Sequence, residues 1–103
     1  MESFKNIEHT EVNDQKYGNG HEWRDGKDLF ISLISSRLGT KFYMYCSDVD
    51  KLKELKEEMI KRQPAITYIN RRRNVVRSRR VIRLSPAEIK DLVDYFNSFV
   101  HEN

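Results

Sequence analysis

The stretch "RLSPAEIKDLVDYFNSFV", residues 83–100, reads as an amphipathic helix with its start marked. Ser85 stands where an N-cap belongs, Pro86 at the first helical position, and Glu88 three residues after the serine, the pattern of a capping box. Leu84 and Ile89 flank the cap as a hydrophobic staple. Ile89, Leu92, Val93, Phe96, Phe99 and Val100 recur at i, i+3, i+4 and i+7, so they share one face, while Lys90, Asp91 and Asp94 fall on the wet side. A helix this apolar on one side needs a complementary surface, and the rest of the chain must supply it.

A second helix is predicted over about 48–62, in "SDVDKLKELKEEMIKRQ". Ser47 or Asp48 caps it, Asp50 suits the positive first turn, and Pro64 ends it. Val49, Leu52, Leu55 and Met59 form its buried stripe. "KFYMYC", 41–46, is a strand, with Phe42, Met44 and Cys46 on one face and Tyr43 and Tyr45 on the other. "AITYI", 65–69, reads as another strand, so strand, helix and strand make a crossover unit, right-handed if the two strands are parallel in one sheet. "AITYIN" and "VVRSRRVIRL" then form a hairpin through "RRRN".

Two segments read less directly. "DLFISLISSRLGT", 28–40, is taken as a helix capped by Asp28, with a stripe of Leu29, Phe30, Leu33, Ile34 and Leu38 and Gly39 just past its end. The competing reading is a strand paired with "KFYMYC" through a turn. Residues 1–28, with "KYGNGHEWRDGKD", read as a polar N-terminal arm or loop, in which Trp23 anchors back on the body and "KNIEHTEV" is a short edge strand. The expected architecture is α+β: a small mixed three- or four-stranded sheet, packed by two to three helices and carrying a basic β-hairpin. The single domain is expected to span 29–103.

Charge is unevenly spread. The chain of 103 residues has a net charge of only +3, yet residues 59–87 hold nine bases and no acid. Residues 1–28 and 88–103 are each net −3. Seven of the fifteen residues in "NRRRNVVRSRRVIRL" are arginine: Arg71, Arg72, Arg73, Arg77, Arg79, Arg80 and Arg83. None of the fifteen is lysine. Guanidinium forks pair bidentately with phosphate or guanine and stack on rings, which an ammonium does not. So many like charges in one segment need compensation, and a polyanion provides it.

If Val76, Ile82 and Leu84 face the core, Arg77, Arg79 and Arg83 project together at about 6.6 Å intervals. A bulge near 79–80 accommodates Arg80. Arg71, Arg72 and Arg73 lie at the hairpin tip, where a ribbon can enter a groove. The chain is therefore expected to bind nucleic acid through these seven arginines, as an accessory or regulatory protein, with duplex DNA slightly preferred to RNA or single strands. Tyr43, Tyr45 and Tyr68 on an open sheet face would make a stacking platform, unless helices cover them as half-buried core. The rival class is a protein-interaction module or inhibitor that docks on an acidic partner or forms a homodimer; where the acids fall discriminates, because if Glu88, Asp91 and Asp94 pair with most of the arginines the positive field is spent internally.

An enzyme is not expected. His21, Glu22, Asp25 and Asp28 cluster in "HEWRDGKD", and a histidine among carboxylates can hold a divalent metal for a small nuclease, but the spacing matches no metal motif and loop is the preferred reading. Neither a cofactor nor a metal nor a catalytic set is predicted. Cys46 is a lone cysteine in an apolar run and reads as core, which fits an intracellular, cytoplasmic or nucleoid-associated place. No span or signal peptide is read in the chain.

Overall fold

The computed structural model describes residues 4, 6–14 and 18–102. Six strands form one antiparallel sheet: β1 (Glu8–Asp14), β2 (Gly18–Asp25), β3 (Leu29–Ser36), β4 (Gly39–Cys46), β5 (Tyr68–Arg72) and β6 (Val75–Ser78). Helix α1 (Val49–Arg62) follows β4, and α2 (Pro86–Glu102) closes the chain. The order across the sheet is β1-β2-β3-β4-β6-β5. The first four strands are a meander. The chain then passes over β6 to β5 and returns beside β4, so β4 and β5 run in one direction with β6 between them.

This corrects the expected three- or four-stranded mixed sheet: the class is still α+β, with two helices among the expected two to three, but among the described residues there are six strands and all neighbours are antiparallel. β1 overlaps the edge strand expected in "KNIEHTEV", while β2 and β3 come from segments read as loop and as helix. The region 1–28 supplies β1 and β2, although residues 1–3, 5 and 15–17 lie outside the described residues. The expected helix over 28–40 is β3, its turn, and the start of β4. Asp28 caps no helix. It sits in the β2–β3 turn, where its carboxylate accepts a hydrogen bond from the Ser47 hydroxyl at 3.2 Å.

The pleat divides the sheet into two faces. On one, Trp23, Ile31, Leu33, Phe42, Met44 and Val76 are buried under the helices. Leu52, Leu55 and Met59 of α1 and Leu92, Phe96, Phe99 and Val100 of α2 complete that core. Trp23 is fully buried, meets the Phe96 ring edge-on at 5.3 Å between centroids, and donates its indole N–H to Asn97 Oδ1 at 2.7 Å. Both helices begin as their sequences dictate. Asp48 accepts from the N–H groups of Asp50 and Lys51. In α2 the Glu88 N–H donates to Ser85 Oγ at 3.1 Å, while Ser85 N–H donates to Glu88 Oε1 at 2.9 Å. That bond and the hydroxyl contact hold the Glu88 carboxyl below its usual range. Among the described residues, no helix is long and apolar enough to cross a membrane.

Candidate nucleic-acid interface

The face away from the helices is built by the alternate residues of each strand. Register places Arg24 opposite Phe30, Phe30 opposite Tyr45, and Tyr43 opposite Arg77. The Arg24 guanidinium lies over the Phe30 ring at 4.5 Å, and Phe30 and Tyr43 are 5.8 Å apart between centroids. Tyr43 is 37% exposed and Lys41, on the same face, is exposed too. Aromatic rings thus run across β3 and β4 between cations on β2 and β6. Tyr68 does not join them. It pairs with Ser78 on the helix face, under the Lys56 ammonium at 5.0 Å, so the expected trio of tyrosines is a pair.

Beyond Ser78 the strand leaves β4. Phe42 N–H donates to the Ser78 hydroxyl, and main-chain pairing resumes only at Thr40 and Ile82, which exchange both bonds at 2.7 and 2.9 Å. Residues 79–81 bow out between those two ties, so the expected strand over 75–84 is interrupted. Gly39 makes the second tie possible: its φ is +132°, and a Cβ there would sit 3.0 Å from Ile82 O. The excursion opens a cleft of about 360 Å³ lined by Lys41, Tyr43, Arg77, Arg79, Arg80 and Val81. Val81 is 45% exposed at its rim.

The seven arginines therefore do not form a single row. Arg77, Arg79 and Arg80 share the cleft with Lys41. Arg71 and Arg72 end β5 and Arg73 begins the β5–β6 turn, at the far end of β6; Arg83 lies in the extended segment before α2. All seven are exposed. Among the described residues none of them is in an ion pair, and the acids expected to compete are engaged elsewhere. Glu88 caps its own helix, Asp91 binds Arg62 at 2.9 Å, and Asp94 binds Lys90 at 2.7 Å.

The tip differs from a free ribbon. Cys46 N–H donates to Asn74 O at 3.2 Å, which ties the turn to the end of β4. Sequence reasoning missed Lys41 as a partner of the arginines, because nothing in the chain order relates it to Arg77. The His21–Glu22–Asp25–Asp28 grouping dissolves in the fold. Strand alternation sends His21 and Glu22 to opposite faces of β2, and among the described residues no three His, Cys, Asp or Glu side chains gather as a metal site. Cys46 is fully buried, and burial raises its thiol above the usual value. Compared with protein-family models, curated proteins and solved structures, the chain matches none.

Proposed function

We propose that the protein binds single-stranded nucleic acid across the open face of its sheet, with no chemistry of its own. Bases stack on Phe30, Tyr43 and Tyr45, and the backbone is held by Arg77, Arg79, Arg80 and Lys41. The observation that carries this reading is seven exposed arginines without acidic partners among the described residues, three of them lining one cleft beside an exposed aromatic ring. Aromatic faces accept any base and guanidiniums hold phosphate, which is the chemistry of a strand-binding platform. A duplex is less well served. Its major groove takes a projecting helix or ribbon, whereas this turn is tied down to β4. An accessory or regulatory role, at an intracellular place beside nucleic acid, belongs to the same proposal.

The test is a fluorescence anisotropy titration with labelled single-stranded DNA, single-stranded RNA and duplex DNA at two salt concentrations. Single strands should bind more tightly than duplex, with a log–log salt slope of about −0.7 per phosphate neutralised. Tyr43→Ala should cost about 1–3 kcal/mol through lost stacking. Changing Arg77, Arg79 and Arg80 together to alanine should flatten the salt slope. Wild type that binds none of the three probes at low salt would end the proposal, and capture of a stoichiometric acidic protein would then put the rival in its place.

A further inference from the structure

On the helix side of the β5–β6 turn lies a second cationic recess. Between α1 and the hairpin is a cleft of about 240 Å³, with Lys53 and Lys56 on one wall and Asn70, Arg72 and Arg73 on the other, over a floor of Leu52 and Val76. Lys53 and Lys56 are one helical turn apart, so their side chains leave α1 on the same side. Among the described residues no carboxylate lines the cleft. The Asn70 amide adds a neutral donor, and Lys56 is steadied over the Tyr68 ring. The volume is below that of pockets enclosing whole drug-sized ligands, so it suits a phosphate group and little more. Folding has brought four cations together here from two elements, and a bound anion relieves their repulsion.

We propose that this cleft is a phosphate-binding site. Resting on the strand-binding reading above, it takes a backbone phosphate of the same strand after that strand rounds the β5–β6 turn from the sheet face. The chemistry is a phosphate held by two ammonium and two guanidinium groups, and its source is either the phosphodiester of a bound strand or a free polyphosphate.

The two sources are separated by two arms. In the first, pyrophosphate is titrated into the wild-type protein without nucleic acid and followed by amide NMR. Signals of Lys53, Lys56, Arg72 and Arg73 should shift saturably, and the shifts should vanish in the Lys53→Gln/Lys56→Gln double variant, whose fold is checked by its remaining resonances. In the second, wild type and double variant are titrated with a long and a very short labelled single strand. The long strand should lose about 0.7 from its salt slope in the variant, one phosphate contact's worth, while the short one, confined to the sheet face, keeps its slope. Pyrophosphate shifts without any strand binding would sustain the cleft as a free-phosphate site and overturn the strand reading. Strand binding with identical slopes, together with no pyrophosphate shifts, would overturn the cleft and leave the sheet face standing.

Discussion

His9 shows how one residue's surroundings become a property of the whole protein. Its ring stacks on Trp23 at 4.6 Å between centroids and shares a 3.0 Å hydrogen bond with His21. Partial desolvation of this largely exposed ring lowers its pKa from the ordinary 6.5; His21 and His101 push the same way and Glu11 opposes. An unfolded chain therefore takes up the proton before the folded one does. The stability this group contributes is present above about pH 6.5 and is lost as pH falls through its lower folded value. Urea midpoints measured across that range should drop towards acid, and His9→Gln should drop less steeply. Equal slopes in the two proteins would refute the assignment. Gly20 is equally local. A Cβ on it would meet Leu33 O at 2.3 Å, so β2 can lie against β3 there only without a side chain.

Among the elements, the two helices and β4 were legible in the chain because capping residues and periodicity agree. Ser85→Ala should cost about 1 kcal/mol, read from chemical denaturation, since it removes the acceptor for the Glu88 N–H. No change would mean the cap is not formed in solution. β3 was not legible. A strand in the middle of a sheet, buried by helices on one side and flanked by rings on the other, loses its alternation: Leu29, Ile31, Ser32 and Leu33 are all buried. The same letters satisfy a helical stripe, and only Leu38 betrays it, at 70% exposed in the β3–β4 turn. β2 hid for the opposite reason, being mostly polar with glycines that signal loop. The arginine segment was legible as charge but not as shape. Its division into a sheet-face cluster and a tip cluster depends on the break after Ser78 and on Lys41, Lys53 and Lys56, which only tertiary folding brings near.

At the scale of the molecule, charge and architecture coincide. The β1 edge carries Glu8 and Glu11, and the β5 edge carries Arg71 and Arg72. On the open face Glu8 and Glu22 lie towards β1, with Arg24 between them paired to Glu22 at 3.7 Å, and Lys41 and Arg77 lie towards β6. Under the proposed function, a strand on the face would be drawn to the β4–β6 side and turned away from the other. The whole also depends on its first strands. A chain beginning at residue 28 loses β1, β2 and Trp23, uncovering Phe96 and the rest of the α2 stripe. It should fail to fold, giving a collapsed amide NMR spectrum; a dispersed spectrum would show that β3 onward is self-sufficient.

Trp23 is the chain's one tryptophan, and its place under α2 makes it an intrinsic optical probe. Shielded from water and hydrogen-bonded to Asn97, it should emit at short wavelength and shift red on unfolding. Lying on the helix side of the sheet, it should keep its emission maximum when an oligonucleotide settles on the opposite face. One cuvette would then report folding through tryptophan and binding through a labelled strand, the two signals independent. A large blue or red shift on adding the oligonucleotide would place the contact on the wrong side of the sheet.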